Sequence, residues 1–187
     1  MHPTINIAIS AARKAGDIIM RAQYRVSDIK FTEKTENDYV TEIDEKAELA
    51  IIDILRTAYP SHGILAEESG ISEGDDEDEN IWIIDPIDGT RNFLHGFPHF
   101  CVSIALQVKG KIEHGVIYDP VRQELFTASR GDGAFMNNKR MRVTNELKLN
   151  KSLIGCGFPF RHSEESKETY FSLFNAMLPH CGDFRRS

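Results

Sequence analysis

IWIIDPIDGTRNF, residues 81–93, runs β-branched and aromatic residues up to an aspartate, turns at a proline, reaches a second aspartate and closes with Gly-Thr. Residues 81–85 have the composition of a strand, and TRNFLHG after Gly89 reads as the opening of a helix. One reading of the join is a plain turn, in which Pro and Gly punctuate and Asp caps the next helix. The other is a metal site. Pro86 fixes one backbone torsion, so Asp85 and Asp88 can face one point with the Ile87 carbonyl between them. Gly89 removes a side chain where a ligand would approach, and open amides at the helix start would meet an anion. Thr90 adds a hydroxyl able to orient a water beside Glu67.

Upstream, Ile5, Ala8, Ala12, Ala15, Ile19 and Ala22 recur at helical spacing, which predicts an amphipathic helix from Thr4 to about Tyr24 with Thr4 as its N-cap. A polar connection, SDIKFTEKTEND, leads to a second helix from Thr41 to about Ala58, where Ile43, Ala47, Ala50, Ile51, Ile54 and Leu55 form the apolar side. GILA (63–66) reads as a strand. FCVSIALQVKG, KIEHGVIYD and ELFTASR alternate in the manner of an antiparallel meander, and GDGAFMNNKRMRV adds a short turn-rich pairing. SLIGCGF and residues 164–178 then predict a strand and a helix, and CGDFRRS carries no closing signal. Helices followed by mainly antiparallel strands make an α+β chain: an N-terminal domain over 1–150 and the beginning of an α/β domain over 151–187.

The totals narrow the function classes. The 187 residues carry 22 Lys plus Arg against 29 Asp plus Glu, a formal charge of −7, which is unlike the basic footprint of a nucleic-acid binder. The run EGDDEDE (73–79) reads as a solvated surface loop. Three dispersed cysteines form no C-x-x-C, arguing against a disulfide framework or a zinc cluster. No stretch reaches the length of a membrane span, and a cytoplasmic protein with reduced thiols is expected.

The acids at element edges are Asp44, Glu67, Glu68, Asp85 and Asp88. Oxygen donors without nearby His or Cys ligands suit a hard cation such as Mg²⁺. Each acid also has a plain structural reading. Asp44 completes the Thr-x-x-Asp of a capping box, and of the adjacent Glu67 and Glu68 at most one is a direct ligand. Lys34 reads as a solvated lysine, His95 and His99 as rim residues, and Trp82 and Phe93 as core.

WIIDPIDGTRNF, with AEESG and NDYVTEID before it in this order, resembles the inositol monophosphatase family of magnesium-dependent, lithium-sensitive phosphomonoesterases. MHPTINIAISAARKAGDII and the stretch from FPHFCVSIALQVKG to GDGAFMNN are similar to its bacterial members. The resemblance implies the layered α/β sandwich of the inositol monophosphatase and fructose-1,6-bisphosphatase type, with an N-terminal helix pair on a mainly antiparallel sheet and an incomplete second domain. It implies two or three Mg²⁺ ions: Glu67, Asp85 and the Ile87 carbonyl on the first, Asp85 and Asp88 on the second, Asp44 at a weaker third.

It further implies that Gly89 and Thr90 meet the phosphate with Asp88 beside the substrate, that Thr90 with Glu67 activates the attacking water, and that Asp88 takes part in the catalysis, while Glu68 and Lys34 stand behind these groups. The implied substrate is inositol monophosphate or a similar small phosphomonoester, and the implied assembly a homodimer. Sister activities on sugar bisphosphates or nucleotide 3′-phosphates use the same motifs. Some bacterial members resemble components of transcription complexes, which leaves a mainly non-catalytic partner role as the alternative. The family's later Trp-Asp segment has no counterpart, because the one tryptophan, Trp82, precedes Ile83. The chain reads as part of a longer protein.

Overall fold

The computed structural model describes residues 2–25, 29, 31–35, 38–75, 79–158 and 164–186, without the side chains of 33–35, 38, 39 and 164. They fall into two compact units, Met1–Met141 and Arg142–Ser187. In the first, helices α1 (Pro3–Gln23) and α2 (Glu42–Ala58) flank a hairpin of β1 (Phe31–Thr35) and β2 (Asp38–Thr41). Then come β3 (Gly63–Ala66), β4 (Gly70–Ser72), β5 (Asn80–Asp88), the short α3 (Thr90–Leu94), β6 (Cys101–Val108), β7 (Lys111–Asp119), β8 (Glu124–Ser129), β9 (Gly133–Met136) and β10 (Lys139–Arg140).

Eight strands form one sheet in the order β10-β9-β8-β7-β6-β5-β3-β4, parallel only between β3 and β5. Alternation decides which face is covered. Trp82 and Ile84 of β5, Val102, Ile104 and Leu106 of β6, and Val116 and Tyr118 of β7 form the buried face. They share one core with Ile5, Ala8, Ala12, Ala15 and Ile19 of α1 and Ala47, Ile51 and Leu55 of α2. The alanines let the helices lie close. Gly16 takes the approach furthest, since a Cβ there would stand 2.6 Å from the Tyr118 ring. On the other face Leu65 and Ile117 stay partly exposed.

The second unit holds β11 (Leu153–Cys156), α4 (Glu164–Met177) and β12 (Asp183–Arg186), with β11 and β12 parallel. A helix joining two parallel strands is the βαβ arrangement.

The layers match the α+β expectation, and four details differ. The N-cap of α1 is His2, not Thr4: Pro3 occupies the first helical position, where its fixed torsion suits the helix, and the His2 side chain accepts from the Thr4 amide. The expected polar connection contains the β1–β2 hairpin, whose threonines and aromatics pair without an apolar alternation to announce it. CGDFRRS supplies β12, which finds its partner in β11 across a helix. The strand at 81–85 continues through Pro86 to Asp88.

Other expectations hold. The second helix begins at Thr41 with a full capping box to Asp44. Trp82 and Phe93 are core. The cysteines are free thiols. The described members of the acidic run, Glu73, Asp75 and Glu79, are exposed, while 76–78 lie outside the described residues. Among the described residues no helix is long and apolar enough to cross a membrane.

Ile51 is fully buried at the centre of α2. Ile51→Ala should cost about 2–5 kcal/mol in urea unfolding followed through Trp82 fluorescence. A cost below about 1 kcal/mol would mean that α2 does not pack as described.

Candidate active site

The site grows from an irregularity in β5. Asp85 pairs with Ser103 of β6, but Asp88 pairs with Cys101, so the step from Asp85 to Asp88 on one strand faces a step of one residue fewer on the other. This is a β-bulge between Asp85 and Asp88, a stretch that includes Pro86, which has no N–H to give to the ladder. In a regular strand, side chains an odd number of positions apart point to opposite faces. The extra residue cancels that parity. Asp85 and Asp88 come to the same side as Ser103 and Cys101, and each carboxylate lies in the field of the other.

β3 delivers the third acid. It runs parallel to β5 and ends at Ala66 opposite Ile84, so the next residues of the two strands are Glu67 and Asp85. The Glu67 N–H donates to the Ile84 carbonyl at 3.1 Å, carrying the pairing one residue beyond β3. Glu67 and Asp85 are within hydrogen-bond reach of each other. Burial first, then the Glu67 charge, its hydrogen bond and the Asp88 charge push the Asp85 carboxyl up to about 8. Asp85 thus keeps its proton at neutral pH, with Glu67 beside it. The other oxygen of Asp85, Oδ1, is buried with no hydrogen-bond partner.

A second group lies where α2 meets α3. Asp44 is 1% exposed. Its Oδ2 accepts from the Thr41 amide at 2.9 Å and the Thr41 hydroxyl at 2.5 Å, while its Oδ1 accepts from the Thr90 hydroxyl at 2.9 Å. The Thr90 hydroxyl also lies 3.0 Å from the Ile87 carbonyl. Its single proton serves one of these acceptors, leaving its lone pairs free to accept from a water. Burial raises the Asp44 carboxyl above the usual carboxylate range, against the lowering pull of the Thr41 and Thr90 bonds. Asp44 therefore fills the capping-box role and anchors Thr90 as well. Gly89 adopts φ 103°, and a Cβ there would stand 3.0 Å from the His99 carbonyl, so this entry to α3 needs glycine.

The remaining sequence candidates divide. Glu67 and Asp88 are exposed and Glu68 half-buried, so the adjacent glutamates do part company. Lys34 lies on β1, with its side chain outside the described residues. His95 is exposed and His99 half-buried, in keeping with a rim position. Two residues escaped the sequence reading. Cys101 points its thiol at Asp88 Oδ2, 3.9 Å away, and burial with the charges of Asp88, Asp85 and Asp119 pushes it up to about 12, which keeps it a neutral thiol. Glu48, 2% exposed, accepts the Glu68 and Ser69 amides at 2.8 and 2.9 Å. An acid one helical turn after Asp44, among Ala47, Ile51 and Leu55, was the available signal.

Among the described residues no group of three or more His, Cys, Asp and Glu side chains closes into a ready-made metal cage. The donors around Asp85 fit a hard cation: the carboxylates of Glu67 and Asp88 and an unpartnered buried oxygen on Asp85 itself. Mg²⁺ suits so open a set, because it keeps several waters.

A helix-covered mixed sheet with an acidic irregularity at the end of β5 defines a layered α+β protein. A sequence profile of the inositol monophosphatase family matches residues 1–186, and the chain belongs to that family. It is 50% identical over 186 residues to the Nus factor SuhB of Pasteurella multocida, covering 100% of this chain and 69% of that protein. With the Nus factor SuhB of Escherichia coli K12 it shares 46% identity over 187 residues, again covering 69% of the relative. The crystal structure of extragenic suppressor protein suhB from Bartonella henselae superposes with a TM-score of 0.93 at 40% identity, over 99% of this chain and 70% of that one. The Thermotoga maritima IMPase gives 0.81 at 33%, over 97% and 67%.

The raised Asp85 carboxyl has a consequence for stability. In the unfolded chain it ionises near its ordinary 3.8, while in the folded chain it keeps its proton until about 8. The folded state binds the extra proton between these values, so the stability present below the lower one is lost as pH rises through the upper one. In EDTA, Tm should fall from pH 5.5 to 8.5, and Asp85→Asn should flatten that fall and melt higher at pH 8.5. Parallel profiles for the two proteins would show that Asp85 is not the strained group.

Proposed function

We propose that the chain forms the metal-binding part of a magnesium-dependent phosphomonoesterase that hydrolyses inositol monophosphate or a similar small ester. The observation that carries this reading is the buried, unpartnered Oδ1 of Asp85 beside the Glu67 carboxylate, in a member of the inositol monophosphatase family. Glu67, Asp85 and the Ile87 carbonyl would hold one ion, Asp85 and Asp88 a second, and Asp44 a weaker third. When bound, magnesium supplies the positive charge that makes a water nucleophilic and neutralises the departing oxygen.

The chain's own groups do the positioning. Thr90, its proton committed to Asp44 or the Ile87 carbonyl, accepts a hydrogen bond from the attacking water, and Glu67 accepts the water's other proton. The amides of Gly89 and Thr90 receive a phosphoryl oxygen, and the left-handed turn at Gly89 leaves no Cβ in the way. In-line attack then forms a bond from the water oxygen to phosphorus as the ester bond breaks, with inversion and no covalent intermediate. Glu68 and Lys34 are assigned supporting places, and the protein is read as a cytoplasmic homodimer.

A second reading comes from the relatives' names. Those called Nus factor SuhB favour a partner role in a bacterial transcription complex. Both roles can share one fold, and Asp85→Asn separates them by removing hydrolysis while leaving a docking surface intact.

The test is phosphate release from inositol 1-phosphate across a magnesium titration, with and without lithium. It is run on this chain and on a version extended by the C-terminal segment of the Pasteurella multocida relative. Magnesium-dependent, lithium-sensitive release that is much faster in the extended protein, and absent in its Asp85→Asn variant, is expected. Full activity in Asp85→Asn would refute the site, and no release from either protein would leave the transcription-partner reading in its place.

A further inference from the structure

Glu48 is a buried acid with no part in the roles above. Its carboxylate takes two consecutive backbone amides, Glu68 N–H on Oε2 at 2.8 Å and Ser69 N–H on Oε1 at 2.9 Å. The amide just before them, that of Glu67, donates to the Ile84 carbonyl at 3.1 Å. Three successive N–H groups are therefore tied down, the first to β5 and the next two to α2. Asp44, one helical turn earlier on α2, holds the Thr90 hydroxyl at 2.9 Å. One face of one helix thus fixes both the turn that carries Glu67 and the hydroxyl of Thr90.

We propose that Glu48 is a positioning residue: by pinning residues 68 and 69 it holds Glu67 against Asp85 and so sets the affinity of these carboxylates for a divalent cation. The proposal rests on the phosphatase reading of Glu67 and Asp85. When both acids are ionised they repel, and Glu67, exposed and just past the end of β3, is the one able to swing away. The two charge-assisted bonds to Glu48 oppose that swing. They also spare an incoming ion the cost of ordering the turn, which is how preorganisation raises affinity. A helix that needed only to cover the sheet would have no use for a carboxylate at this depth, since burying one is costly unless it is hydrogen-bonded.

The test measures Mn²⁺ affinity from the electron paramagnetic resonance of the free ion, alongside far-UV circular dichroism and the rise in Tm caused by saturating Mg²⁺. Glu48→Gln preserves shape and one acceptor oxygen but turns an NH₂ toward one of the amides, and Glu48→Ala removes both bonds. Because Glu48→Ala leaves a cavity, the isosteric variant carries the test. Mn²⁺ binding should weaken about tenfold in Glu48→Gln, the lower end of what outer partners of metal ligands contribute, and further in Glu48→Ala. The magnesium-induced rise in Tm should shrink in the same order while the dichroism of Glu48→Gln stays native.

Ile51→Ala, on the next turn of α2, is the control for mere destabilisation and should leave Mn²⁺ affinity within about twofold, because its contacts lie in the core. Equal binding by Glu48→Gln and the unaltered chain, or an equal loss in Ile51→Ala, would overturn the proposal. Failure of the unaltered chain to bind Mn²⁺ would instead refute the metal-site reading beneath it.

Discussion

Glu67 and Asp85 repel each other whenever both are ionised, and elements of the first unit hold them side by side. They follow directly from the paired ends of β3 and β5, so the parallel ladder that builds the sheet also brings the acids together. Asp85 is half-buried, and burial, then the neighbouring charges of Glu67 and Asp88, are why it titrates so far above an ordinary aspartate. Where both acids are ionised, the fold supplies what opposes their repulsion.

That opposition comes from two places. The bulge between Asp85 and Asp88 turns an odd spacing into a shared face and adds Asp88 to the cluster. Helix α2 supplies two buried carboxylates a turn apart, one closing the capping box and reaching Thr90, the other gripping the turn after Glu67. The apolar side of the same helix is buried with Trp82 and Ile84 in the core. Packing energy from the core is in this way coupled to the geometry of charged groups that would otherwise drift apart.

Much of this was legible in the sequence. Alternation in FCVSIALQVKG and KIEHGVIYD gave the meander, and the helical spacing of Ile43, Ala47, Ile51 and Leu55 gave α2, because both patterns report burial on one face. Thr-x-x-Asp gave the capping box. Asp-Pro-x-Asp-Gly-Thr marked the convergence of Asp85 and Asp88, though the bulge that achieves it depends on β6 and is invisible in β5 alone. The β1–β2 hairpin and β12 went unseen because neither alternates cleanly: their pairing comes from a neighbouring strand, not from a buried stripe. Glu48 was passed over because a charge on a helix is ordinarily solvated, and only the fold shows two amides aimed at it.

The central claim is that Asp85, beside Glu67, holds a proton that a divalent cation displaces. Calorimetric titration of the metal-free chain with Mg²⁺ at pH 7, in two buffers of different protonation enthalpy, gives the protons released per ion bound. The account predicts about one, since metal ligands must be deprotonated and Asp85 holds its proton at that pH. Binding without proton release would contradict it.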